Sequence, residues 1–300
     1  MIKAKFRCVT RERKTSFVEI FRTTPTNTVC PNFYVLSHAN GCTFQPHCEY
    51  CYLKSTFWHQ NEQVAFSNVD KMVRDVRRWI AKDNLESYIL NTGNLSDSLA
   101  FEGVRPMAPA LVEEFRVAER LGKKHTLLLL TKGGVLHCKC LFKIEPCANV
   151  VMSFSVNTPE AAAEYERGAA KPDDRMEAAR RLKAQGWRMR IRLDPMILGF
   201  DYSELLRQVR ELAPERVTLG GLRAEKNLAK FVREGLFEGL VPDTDGKGMA
   251  RYPRTERVAL YRQAVEALRD ICPIGLCEET RDIWEELGLK PDDKPCNCGS

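Results

Sequence analysis

The chain has 300 residues, of which 44% are hydrophobic and 29% charged, with a formal net charge of +6. That supplies one large core, and an α/β barrel of this length needs no second domain. No run of 18 apolar residues occurs, which excludes a membrane-spanning helix, and the basic start lacks the apolar stretch of a signal peptide, so a cytoplasmic location is expected.

The first 30 residues read as an irregular N-terminal extension. Positive charge gathers there, at Lys3, Lys5, Arg7, Arg11, Arg13 and Lys14, and again at Arg74, Arg77 and Arg78. Such patches meet phosphates or simply face water. From residue 31 to 271, strand-like and helix-like segments alternate. Phe33 to Ser37 reads as a strand and Asn68 to Asp83 as a helix with Val69, Met72, Val73, Val76 and Ile80 on its apolar side. Tyr88 to Asn91 is a short strand and Pro109 to Leu121 a helix. His125 to Thr131 is a near-continuous apolar run, the pattern of a buried parallel strand. Val150 to Val156 is another strand. The helical region from Pro159 to Gln185 breaks near Gly168 and Pro172 and stops at Gly186. A strand from Arg188 to Leu193, a helix from Tyr202 to Leu212 and a strand from Arg216 to Leu219 follow. Two more helices are expected, Glu225 to Glu234 and Arg254 to Ile271, with a loop or hairpin from Gly239 to Tyr252 between them. Residues 272–300 form a cysteine-rich C-terminal tail. Its segment from Asp282 to Gly288 looks like one short helix.

Six β-then-α units imply parallel strands with right-handed crossovers, as a barrel or as an open doubly wound sheet. Alternation puts Arg188, Arg190, Arg192 and Asp194 on one strand face, and Ser153, Ser155 and Asn157 on another. Polar lumen faces suggest a barrel interior that holds a polar ligand; edge strands with one wet face would look the same.

Twelve cysteines are many for a reducing compartment, and their uneven spacing suggests metal ligation. Cys42, Cys48 and Cys51 form Cys-x5-Cys-x2-Cys, directly after the first strand. Three thiolates leave one iron of a four-iron cluster open to a small molecule, whereas a structural zinc site needs a fourth ligand, which His38, His47 or His59 could supply. In the tail, Cys277, Cys296 and Cys298, with Cys272 as a weaker candidate, suit a second iron–sulfur cluster or a zinc ion. Cys8, Cys30, Cys138, Cys140 and Cys147 read as small buried hydrophobes.

The three-cysteine loop, with an aromatic residue before its last cysteine, resembles the signature of radical S-adenosylmethionine (SAM) enzymes. Their usual spacing is Cys-x3-Cys-x2-Cys, two residues shorter. The wider pattern resembles the spore photoproduct lyase family. The matching motifs are Cys48-Glu49-Tyr50-Cys51-Tyr52-Leu53, Ser96-Asp97, Thr131-Lys132, Ser153-Phe154-Ser155-Val156-Asn157, and Gly168 followed by Arg175. The resemblance implies a partial (β/α)6 TIM-type barrel with a 4Fe-4S cluster and SAM. It implies functional tyrosines at Tyr50 and Tyr52 and SAM contacts from Ser96 and Lys132. Ser155, Asn157 and Arg192 stand at strand ends where they could hydrogen-bond the rest of SAM. The expected activity is reductive cleavage of SAM to a 5′-deoxyadenosyl radical that takes hydrogen from a pyrimidine nucleotide or a DNA base, with a flavodoxin or ferredoxin as electron donor. Asn94 stands where the family has its hydrogen-donor cysteine, so repair of the photoproduct itself is not expected. Two other readings remain open: a radical SAM isomerase or mutase acting on a small amino compound, and a zinc-stabilised nucleic-acid-binding protein.

Overall fold

A computed structural model describes residues 7–22, 27–30, 32–225, 227–243, 249–293 and 295–299. Six strands form its spine: β1 (Phe33–Leu36), β2 (Ile89–Asn91), β3 (Thr126–Thr131), β4 (Val150–Ser155), β5 (Arg188–Met196) and β6 (Arg216–Gly221). They lie side by side in chain order, and every neighbouring pair is parallel. Main helices follow β1, β2, β4, β5 and β6: α1 (Val69–Ile80), α2 (Ala108–Arg120), α3 (Pro159–Tyr165), α4 (Pro172–Ala184), α5 (Ser203–Leu212) and α6 (Arg254–Leu268). This is the partial barrel expected. Strands such as β3, with the sequence TLLLLT, bury both faces, which is why they read as unbroken apolar runs. The helices turn one stripe inward; α1 buries Met72, Val76, Trp79 and Ile80.

Two expectations about the helices need correction. The crossover from β3 to β4 holds no α-helix, only a 3-10 turn at Leu141–Lys143. Gly133, Gly134 and Pro146 punctuate that stretch and deny it a helical run. The helix expected from Glu225 to Glu234 is absent. Arg223–Glu225 is instead a strand paired with Met249–Arg251, and Leu228–Phe231 is a single 3-10 turn. Only Leu228 of that turn is buried, too little apolar surface to hold a helix against the body. The segment from Gly239 to Tyr252 is a hairpin, with Val241–Pro242 also pairing to Met249–Arg251. Its Lys247 lies outside the described residues, as do Lys3 and Lys5.

The segment before β1 is not irregular. Arg7–Arg11 runs parallel to Glu62–Phe66 in a small side sheet with Ala39–Asn40. Val18–Phe21 adds an antiparallel edge strand to β1. At the other edge, Ile274–Leu276 from the tail runs parallel to β6. A short pairing of Thr28–Val29 with Glu279–Thr280 then ties the two ends of the described chain together.

The lumen is not left open for a ligand along its whole depth. Register sets Arg190 beside Ser153 and Arg216. Ser153 donates to Asn297 Oδ1 at 2.9 Å, and Arg190 donates to the carbonyls of Asn297 (2.6 Å) and Gly299 (3.1 Å). Arg216 donates to the carbonyls of Cys296 and Gly299, both at 3.0 Å. The tail therefore plugs the lower lumen, and the polar strand faces satisfy backbone that would otherwise be buried without partners.

Candidate active site

The cysteine loop leaves β1 at its C-terminal end, the end at which barrel enzymes place their chemistry. Gly41 starts it with φ +91°, a conformation that favours glycine. Gln63 then accepts from the Cys42 N–H at 2.8 Å, and the Leu95 carbonyl accepts from Gly41 N–H at 3.0 Å. The His47 ring nitrogen Nε2 and the Gln45 amide both bond the Cys42 carbonyl. Gly168 lies directly on the loop: a Cβ there would come within 2.6 Å of Gln45 backbone atoms. The Glu49 N–H donates to the Tyr165 carbonyl at 2.8 Å, fastening the loop to α3.

Burial pushes all three thiols upward. Cys48 is raised to about 12, with Glu166 adding to the rise and Lys132 opposing it. Cys42 is raised by burial and then by Asp97, and Cys51 by burial against the pull of Lys54 and Lys132. The three thiols also feel one another's charge. Among the described residues no three His, Cys, Asp or Glu side chains close on a point that holds a single ion. His38 Nδ1 meets Arg105 at 3.0 Å, and its Nε2 meets the Thr92 carbonyl at 3.0 Å. His59 packs edge-on to Trp58. Three half-buried thiols on one short loop, with Lys132 beside them, match the donor set of a three-cysteine 4Fe-4S cluster with a charge partner for an added ligand.

Beside the loop stands Glu166, a fully buried carboxylate that sequence reasoning missed. Lys132 Nζ reaches its Oε1 at 3.1 Å, Arg175 faces Oε2 at 2.5 Å, and the Tyr50 hydroxyl donates to Oε1. Burial alone would raise its carboxyl; Lys132 and Arg175 overcome that and hold it at about 2. Lys132 also donates to Ser155 Oγ at 2.6 Å, and Arg175 donates to the Ser155 carbonyl at 3.0 Å. Glu166 follows α3 as its C-cap, so no local motif announced it.

The structure thus gathers Tyr50, Lys132 and Ser155 around one carboxylate next to Cys48. It disperses the other candidates. Ser96 is buried and donates to the Asp97 carbonyl at 3.1 Å. Asp97 binds Leu99 N–H, the Thr131 hydroxyl and Lys132 N–H, and so fixes the β3 end that carries Lys132. Asn157 donates to the Pro195 carbonyl and accepts from Thr158 N–H and the Tyr202 hydroxyl, clasping the ends of β4 and β5. The Tyr52 hydroxyl donates to the Asn94 carbonyl. Arg192 belongs to another group, in which Asp194 pairs with both Arg192 and Arg223, and both guanidinium groups donate to Cys277 Sγ at 3.3 Å.

The tail cysteines part company. Cys272 packs in the hydrophobic core, the role allowed for it. Cys296 rests on the strand Ile274–Leu276, where a Cβ on Gly275 would meet Cys296 backbone at 2.5 Å. Asn91 donates to Cys298 Sγ at 3.7 Å. Several basic side chains are engaged within the protein. Arg251 is buried on Asp243 and the Glu278 carbonyl, Arg254 pairs with Asp282 and Glu286, and Arg77 pairs with Glu114.

Comparison with known proteins identifies the family. The family model described as spore photoproduct lyase matches residues 3–223. The spore photoproduct lyase of Bacillus subtilis is 23% identical over 178 residues, covering 59% of this chain and 50% of its own. That of Clostridium acetobutylicum is 24% identical over 188 residues, covering 59% and 52%. The chain spans about half the length of the curated relatives it matches. Among solved structures, a mutant spore photoproduct lyase with bound AdoMet and dinucleoside spore photoproduct superposes with a TM-score of 0.73 at 19% identity, over 91% of this chain and 82% of that one. No helix among the described residues is long and apolar enough to cross a membrane. With the family model covering well over half of its length, the chain belongs to the spore photoproduct lyase family of radical SAM proteins.

Proposed function

We propose that this protein is a radical SAM enzyme whose cluster is held by Cys42, Cys48 and Cys51 and which acts on a pyrimidine nucleotide or a DNA base. The observation that carries the reading is the placement of Lys132. It is a cation close enough to lower the pKa of both Cys48 and Cys51, at a barrel-strand end, on a buried carboxylate. When bound, cluster and SAM together supply a one-electron cleavage that yields a 5′-deoxyadenosyl radical.

The chain's own residues bind and orient. Lys132 is the group proposed to balance the SAM carboxylate, and Glu166, held in turn by Arg175, aims the lysine within a largely buried site. Ser155 holds Lys132 from the strand side. Tyr50 donates a hydrogen bond to Glu166, which fixes the phenol beside Cys48. Tyr52 lines the other side of the loop. Ser96, Asn157 and Arg192 are proposed to serve SAM through the frame that they build within the protein.

Solved spore photoproduct lyases that hold a dinucleoside spore photoproduct support a nucleic-acid substrate. Asn94 has no S–H to return a hydrogen atom, so a lyase or base-modifying outcome other than photoproduct repair is proposed. A flavodoxin or ferredoxin is the proposed electron donor, the cytoplasm the proposed location, and Cys277, Cys296 and Cys298 are proposed to hold a second metal. The test is anaerobic reconstitution with iron and sulfide, reduction, and addition of SAM. Wild type should release 5′-deoxyadenosine and Cys48→Ala should not. Equal output from both, or none from either, sinks the reading.

A further inference from the structure

The proposed tail metal has three cysteine ligands by sequence, one short of a closed site. The fold brings in a fourth. Thr28–Val29 pairs antiparallel with Glu279–Thr280, with Val29 opposite Glu279. Continuing that register sets Cys30 opposite Glu278, the residue next to Cys277. The Cys30 thiol is raised by burial and then by Cys277, Cys298 and Cys296, in that order. Cys296 also packs its backbone on Gly275, two residues before Cys277, so four thiols from distant parts of the chain share one half-buried neighbourhood.

The neighbourhood suits anionic sulfur. Arg192 and Arg223 both donate to Cys277 Sγ at 3.3 Å. Arg190 and Arg216 hold the backbone of residues 296–299 from below. Asp194 neutralises part of this charge through Arg192 and Arg223, Glu278 through Arg223, and Glu215 through Arg190. Guanidinium groups set against Cys277 and against the tail backbone offset the negative charge that metal-bound thiolates would bring. As they stand, the thiols do not close on a single ion. Metal capture would draw the Sγ atoms together by side-chain rotation.

We infer that Cys30, Cys277, Cys296 and Cys298 form a closed four-thiolate metal centre inside the barrel, taking a thiophilic centre of the zinc or iron–sulfur kind. It deepens the proposal that the tail binds metal and does not depend on the chemistry at the Cys42 loop. With all four positions filled by protein, this centre offers no open coordination site to SAM. Its role is structural, pinning the tail in the lumen, or electron relay beside the first cluster.

The test begins with the triple variant Cys42→Ala, Cys48→Ala, Cys51→Ala, which removes the first cluster's ligands. After anaerobic reconstitution with iron, sulfide and zinc, then a chelator wash, metal and sulfide per chain are counted. Retention of about one zinc, or of about four iron and four sulfide, supports the centre and names its occupant. Adding Cys30→Ser should lower that residual metal at least tenfold, while Cys272→Ser leaves it unchanged. A folded triple variant without metal overturns the inference. So does metal that Cys277→Ser removes and Cys30→Ser does not, an outcome that keeps the tail proposal and discards Cys30. If the triple variant fails to fold, Cys30→Ser in the intact protein decides. It should lose the same metal increment and still yield 5′-deoxyadenosine from SAM, and an undiminished metal count refutes the assignment.

Discussion

Replacing Glu166 by glutamine keeps the side chain's shape and removes its charge. In the wild type, Lys132 and Arg175 face that carboxylate in a fully buried setting. The carboxyl sits at about 2 in place of its ordinary 4.5. At about 1.4 kcal/mol per unit, that gap is about 3 kcal/mol of stability at neutral pH. Removing one partner of a buried pair independently suggests a loss of about 3–5 kcal/mol. The sign follows from the lowered value: the contribution is complete above pH 4.5 and disappears as pH falls from 4.5 toward 2. Urea unfolding of metal-free wild type and Glu166→Gln, followed by circular dichroism, measures it. The variant should be less stable by about 3 kcal/mol near pH 7, and the gap should narrow steadily below pH 4.5. A gap below about 1 kcal/mol at neutral pH, or one that stays constant into acid, would refute the account of Glu166 as an ionised anchor.

Lys132→Ala should weaken SAM binding at least tenfold, by calorimetry, and leave iron per chain unchanged; loss of iron would make the lysine structural. Gly168→Ala pushes a methyl group into the Gln45 backbone, so the loop must shift, and reconstituted iron should fall well below wild type while far-ultraviolet circular dichroism is kept. Asp97→Asn replaces a carboxylate that accepts from Leu99, Thr131 and Lys132. It should cost about 1–3 kcal/mol in urea unfolding, with no loss expected if the Lys132 N–H finds another acceptor.

The alternation of strands and helices was legible because buried parallel strands leave an unmistakable apolar run, as Leu127 to Leu130 does. The cysteine loop was legible because three thiols at short spacing have few other uses. Glu166 was not, since a carboxylate that ends a helix looks like surface until the fold seals it between Lys132 and Arg175. Arg223 was hidden in a segment expected to be loop or helix, and its strand exists only because residues 249–251 come back to pair with it. Cys30 looked like a small hydrophobe. Its neighbours are fixed by a two-residue ladder spanning some 250 positions of sequence, beyond the reach of any local pattern.

The plugged lumen also bears on how the chain reaches this state. Ser153 meets Asn297 across 144 residues and Arg190 meets it across 107, so these bonds close large loops and form late. The barrel wall can assemble first, from neighbours adjacent in sequence. Until the tail arrives, the lower lumen presents arginines and a serine to water around the small apolar patch of Ile89, Leu128 and Val151 that Cys298 comes to cover. The polar groups hydrate that interior and leave little apolar surface for neighbours to stick to, so late docking of the tail exposes the chain to limited aggregation.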